Sequence, residues 1–161
     1  MVKHSAGIVL WRTADESVEL LLVHPGGPYW KGRNEHAWSI PKGEFDPEQE
    51  DAMACARREF AEELGSELST DASLTALPVV RASGKHIHAF LAQGDFEPSS
   101  LRSNMTEIEW PPRSGKRLAI PEVDAAAWIR VGEATSYLHK GQAKLVDHVM
   151  AALPNEVRPA D

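Results

Sequence analysis

The chain has 161 residues, a length that suits one domain with a sizeable core. A net charge of −7 argues against a nucleic-acid polymer as partner, since that needs a basic face, but a bound cation can reverse the sign locally and admit small phosphorylated ligands. One cysteine, Cys55, excludes an internal disulfide and a cysteine metal cluster and fits a reducing, cytoplasmic compartment. The early apolar run AGIVLW is far short of the roughly 20 residues that span a membrane. The following RTADESVELLL offers no small-residue cleavage site for a signal peptide, so no membrane partner is expected.

In chain order, SAGIVLWR and VELLLVH are β-rich runs separated by the polar TADES and read as paired strands. PGGPYWKGRNEH reads as a loop, AWSI as a third short strand and PKGEFDPEQ as a second loop. A helix follows from about Asp51 to Leu64, rich in Ala, Glu, Arg and Leu, with Met53, Ala56, Phe60 and Leu64 on one apolar face. Gly65 stands where a glycine ends a helix. LTALPVVRA and KHIHAFLAQG are strand candidates, and LRSNMTEIEWPPRSGKR is a loop with a strand candidate at TEIEW. AAAWIRV reads as a last strand and QAKLVDHVMAAL as a C-terminal helix. The expectation is an α/β class with a mixed sheet, one domain over residues 1–153, and a frayed polar tail over 154–161.

The helix ends in an electrostatic conflict. Glu59, Glu62 and Glu63 share one face at i, i+3, i+4, and like charges at that spacing destabilise by roughly a few tenths of a kcal/mol per pair. Glu62 and Glu63 also occupy the last turn, where the helix dipole disfavours negative charge by about 0.3–1 kcal/mol each. One reading is a solvated acidic face, partly neutralised by Arg57 and Arg58. The other is a site for a hard divalent cation such as Mg²⁺, which takes a few carboxylates together with substrate phosphates.

The preceding loop favours the second reading. Gly43, Glu50, Arg58, Glu59, Phe60, Glu62, Glu63 and Gly65, in that order, resemble the Nudix hydrolase signature G-x5-E-x7-R-E-U-x-E-E-x-G-U, where U is a bulky aliphatic residue. Two departures stand out. Six residues instead of five separate Gly43 from Glu50, which leaves Gln49 at the glutamate position if no gap is allowed, and Ser66 replaces the last aliphatic residue. The wider text, including LLVHPGGPYW and LRSNMTEIEWPPRSGK, is similar to a bacterial subgroup described as predicted nucleoside triphosphate pyrophosphohydrolases.

The resemblance implies a Nudix-type α/β/α sandwich with a mixed central sheet. It implies a hydrolase that cleaves a nucleoside diphosphate linked to another moiety, using Mg²⁺ or Mn²⁺. Glu59, Glu62 and Glu63 would supply metal carboxylates and the Gly43 carbonyl a further ligand. Arg58 and Glu50 would join loop to helix by a salt bridge, with Gly65 closing the motif. Lys42 is a candidate phosphate contact or a solvated lysine. An additional metal-binding or catalytic glutamate is expected from a later loop. Glu122, just before AWIRV, is the preferred candidate over Glu107 and Glu109.

Cys55 reads as a packed residue, because nothing nearby in sequence would lower its pKa. His86 and His88 share a strand face. Such a pair can bind a metal, but a partly exposed strand explains it as well, and no third soft ligand lies nearby in sequence. Tyr29, Trp30 and Trp38 either stack on a nucleobase or pack in the core. A non-catalytic nucleotide-sensing Nudix module is the competing function.

Overall fold

The computed structural model describes residues 1–158. Strands β1 (Lys3–Ala14) and β2 (Ser17–Pro25) form an antiparallel hairpin. Its two turn residues, Asp15 and Glu16, have positive φ of 49° and 65°, the turn geometry whose twist suits flanking strands. β2 pairs with only the C-terminal part of β1, from Trp11 to Ala14. The N-terminal part, His4–Gly7, pairs antiparallel with β3 (Lys42–Phe45). β1 is thus shared by two strands on one edge, and they part near Ile8, whose N–H is taken by the Pro41 carbonyl at 3.1 Å.

β6 (Lys85–Gln93) runs parallel to β1 along its other edge, and β9 (Val123–Arg130) lies antiparallel against β2. Two short strands, β4 (Thr75–Ala76) and β5 (Val80–Ala82), border β6 and complete a mixed seven-stranded sheet. β7 (Met105–Glu109) and β8 (Arg117–Pro121) form a separate hairpin. Helix α1 (Ala52–Leu64) covers one sheet face, and α2 (Ala134–Tyr137) with α3 (Lys144–Ala152) covers the other. Alternation along β1 sends Ala6, Ile8 and Leu10 toward Cys55, Ala56, Phe60 and Leu64, and Val9 and Trp11 toward Leu138, Leu145 and Val149. Burial on both faces explains why β1 and β2 read as nearly unbroken apolar runs.

Several expectations are corrected. AWSI is no strand. It steps across from β2 to β1, so Ser39 bridges Val23 and Trp38 bridges Leu138 in isolation. PKGEF, expected in a loop, supplies β3, whose partner lies far away in sequence. LTALPVVRA is broken around Pro78, which has no N–H to give a ladder. Met53 is 37% exposed, because the buried stripe of α1 runs through Cys55 and Ala56 instead. In the described part of the polar tail, the Arg158 guanidinium donates to the carbonyls of Ala151 (3.2 Å) and Leu153 (3.1 Å), and Val157 packs on the core. The rest of that tail, 159–161, lies outside the described residues. Among the described residues no helix is long and apolar enough to cross a membrane.

Candidate active site

Helix α1 is framed by its sequence. The Asp51 carboxylate accepts the Ala54 N–H at 3.2 Å as N-cap, and Gly65, at φ 76°, ends it by donating to the Ala61 carbonyl at 2.8 Å. The buried stripe runs Cys55, Ala56, Glu59, Phe60, Glu63, Leu64. Two glutamates therefore occupy positions that a helix packed on a sheet fills with apolar side chains. Each is only 9% exposed.

β3 is what they face. A Cβ on Gly43 would run into the Glu59 carboxylate, so only glycine lets the strand approach so closely. The Glu63 carboxylate accepts the backbone N–H of Lys42 at 3.2 Å. Glu122, between β8 and β9, completes the group: one carboxylate oxygen from each of Glu59, Glu63 and Glu122 lies within 4.8 Å of the other two. The Glu122 loop is laced to the end of α1. Its N–H donates to the Asn104 carbonyl (2.8 Å), and the Asn104 N–H donates to the Glu62 carbonyl (2.9 Å).

Burial and crowding raise the pKa of these acids. Burial first, and then the Glu62 charge, raises the pKa of both Glu59 and Glu122. Glu63, the most deeply set, is pushed up to about 8, mainly by burial. Burial lowers the pKa of Lys42, against the pull of Glu63. Three ionised carboxylates in this space call for a compensating cation. Arg58 touches Glu59 at 2.8 Å but also makes two hydrogen bonds to Glu50 (2.9 and 3.0 Å), which hold the Glu50 carboxylate below its ordinary range.

The remaining candidates separate clearly. Glu62 stands outside the three-carboxylate group, partly exposed, with Arg58 at 3.5 Å from each of its oxygens. Glu50, not Gln49, meets Arg58. Asp46 absorbs the extra loop residue by accepting from Glu48, Gln49 and Glu50. The Gly43 carbonyl accepts the Cys55 thiol at 3.6 Å, and burial raises the pKa of that thiol to about 11. Arg57 points away, to the carbonyls of Ser69 and Ala72. Glu107 and Glu109 lie on exposed β7, the latter holding the Arg113 N–H at 3.0 Å.

Lys42 and His139 stand where two grooves meet. One, of about 160 Å³, lies over Glu63 and Glu122, and the other, of about 350 Å³, extends to Lys85. His139 and Lys85 are not singled out by any pattern in the sequence. Neither belongs to a local motif: the parallel pairing of β1 with β6 sets Lys85, and the packing of the C-terminal segment sets His139, at the groove that Lys42 lines. Of the aromatic candidates, Trp38 is buried and Trp30 partly buried, whereas Tyr29 is 52% exposed under the Arg33 guanidinium, 4.6 Å from the ring centre.

The family pattern described as NUDIX domain matches residues 1–149. The chain belongs to the Nudix family. A relative from Enterobacteria phage T4, an uncharacterized 17.7 kDa protein of the e-segB intergenic region, is 31% identical over 126 residues, covering 78% of this chain and 80% of its own. Among solved structures, the C. elegans Ap4A hydrolase binary complex is similar with a TM-score of 0.60 at 22% identity, over 93% of this chain and 96% of that one. The NUDIX domain of Shewanella oneidensis NrtR complexed with ADP ribose has a TM-score of 0.61 at 14% identity, over 96% and 90%. At such identities the likeness is one of fold. In this Nudix chain the grouped donors are all carboxylate oxygens, which suit a hard divalent cation.

Proposed function

We propose that this Nudix protein is a divalent-metal-dependent pyrophosphohydrolase that cleaves a nucleoside diphosphate linked to another moiety. The observation that carries the reading is the convergence of Glu59, Glu63 and Glu122, from α1 and a distant loop, within 4.8 Å and beside a groove bearing Lys42. Glu59, Glu63 and Glu122 would hold Mg²⁺ or Mn²⁺, with Glu62 and the Gly43 carbonyl at the margin. Bound there, the ion neutralises phosphate charge and acidifies water.

The chain's own residues do the rest. Lys42 and His139 orient the phosphate chain over the carboxylates. Glu122, on the loop facing α1, takes the proton of the attacking water as a new P–O bond forms and the anhydride P–O bond breaks. Arg58, clamped by Glu50, fixes the Glu59 carboxylate. Tyr29 offers an exposed ring for the base. A nucleotide sensor is the weaker reading, because the chain retains all three helical glutamates. The single buried cysteine supports a cytoplasmic setting. The test is a hydrolysis screen with Mg²⁺ or Mn²⁺ over nucleoside triphosphates, diadenosine tetraphosphate and ADP-ribose. Turnover of at least one of these supports the reading, and tight binding with no cleavage of any would favour the sensor.

A further inference from the structure

A second cluster of ligating side chains lies on the α1 side of the sheet, beyond the carboxylates. His86 and His88 of β6 share a face, and β1 brings His4 alongside them in parallel register, His4 opposite His86 and Ala6 opposite His88. The His4 Nδ1 and His88 Nε2 atoms are 3.1 Å apart. This contact is a hydrogen bond between the two rings; two imidazole nitrogens bound to one tetrahedral Zn²⁺ at about 2.0–2.1 Å stand roughly 3.3–3.4 Å apart, so loss of the shared proton and a small turn of the rings would space the pair for a common ion. The His86 ring is perpendicular to His4, with centroids 5.2 Å apart, and is partly exposed. Phe45 closes the other side, its ring centroid 5.4 Å from His88 and 6.0 Å from His4.

We propose that His4, His86 and His88 form a binding site for a borderline transition-metal ion of the Zn²⁺ class, separate from the carboxylate centre. His4 and His88 would supply two ligands once the proton between them is released, rotation of His86 would supply a third, and water would fill the remaining position. Imidazole selects such ions over Mg²⁺, so the two centres differ in the metal they take. Burial lowers the pKa of His86 and His88, aided by Arg81 and His4, and favours the neutral form that ligates. The neighbouring cations are Arg81, opposite His86, and Lys3 and Lys85 at the strand ends. Against them, Glu44, Asp46 and Glu48 line the adjoining groove of about 640 Å³, which opens beside His4. An ion here would staple β1 to β6 next to β3, the strand whose Gly43 faces Glu59.

The test is calorimetric titration of the full chain with Zn²⁺ in excess Mg²⁺, which occupies the carboxylates and leaves the imidazoles free. The expected result is one equivalent of Zn²⁺ bound, weakened at least about 10-fold in each of His4→Asn, His86→Asn and His88→Asn and unchanged in Glu59→Gln/Glu63→Gln. Circular dichroism identifies any variant that has lost its fold. In that event the wild-type imidazole proton spectrum decides: the resonances of three of the seven histidines, with His86 among them, should move on adding Zn²⁺. Dissociation constants weaker than about 1 mM overturn the proposal. So does a site that survives His86→Asn, or one that disappears with the two glutamates.

Discussion

At the scale of single residues, the site is a set of acids held in unfavourable surroundings. Glu59→Gln, Glu62→Gln and Glu63→Gln should each lower turnover by roughly 10²-fold or more, because each removes a charge from, or beside, the carboxylate group proposed to bind the cation. Glu62 belongs with them, since its charge is felt by both Glu59 and Glu122. Glu122→Gln should cost as much, whereas Glu107→Gln and Glu109→Gln, on exposed β7, should stay within about two-fold of wild type. Steady-state rates at saturating metal decide, and a silent Glu122→Gln would contradict the role given to it. The pH dependence of stability follows from Glu63. Its pKa is raised from 4.5 to about 8, so between those values the folded metal-free protein binds a proton that the unfolded chain releases, and the associated stability is lost as pH rises from 4.5 to 8. His86, His88 and His139, with lowered values, slope the other way, but below about 6.5. Melting temperatures of metal-free protein should therefore fall between about pH 6.5 and 8 and level off above that, and Glu63→Gln should flatten the curve. An equally steep fall in the variant would remove Glu63 as the cause.

At the scale of elements, α1 and β3 act as a pair. Asp51→Ala removes the N-cap acceptor and should destabilise the protein by about 1 kcal/mol in chemical denaturation, with little effect on turnover. Gly43→Ala should do the opposite. Its methyl group displaces the end of the Glu59 side chain, not backbone, so the melt should hardly move while turnover falls by roughly 10²-fold. Normal turnover in Gly43→Ala would mean that close approach of β3 to Glu59 is not needed. The two elements also differ in how plainly the sequence announced them. α1 was legible because its signals are local: propensity, the i, i+3, i+4 glutamates and the closing Gly65. β3 was not, because Lys42–Phe45 has no alternation of its own and becomes a strand only by pairing with His4–Gly7 of β1.

At the scale of the whole molecule, what was legible was whatever neighbours in sequence decide. The mixed sheet, the central helix and the acidic motif fall in that class. The junction of Lys42 with Lys85 and His139, and the meeting of His4 with His86 and His88, depend on the parallel pairing of β1 with β6 and on the packing of the C-terminal helices, which no local pattern encodes. Glu122 lies between: position before AWIRV suggested it, and the lacing of Asn104 to α1 brings it beside Glu59 and Glu63. If the three carboxylates are a metal centre, Mg²⁺ at about 100 times its dissociation constant should stabilise the fold by about 2.7 kcal/mol. Melts with and without the ion check this, and an unmoved transition would argue against a centre built into the fold. The most direct measurement is turnover of the best substrate from the nucleotide screen by protein stripped with EDTA, before and after Mg²⁺ is restored. The account predicts no detectable hydrolysis in the stripped protein and full recovery with Mg²⁺ in wild type but not in Glu59→Gln/Glu63→Gln. Undiminished hydrolysis by the stripped protein would contradict it.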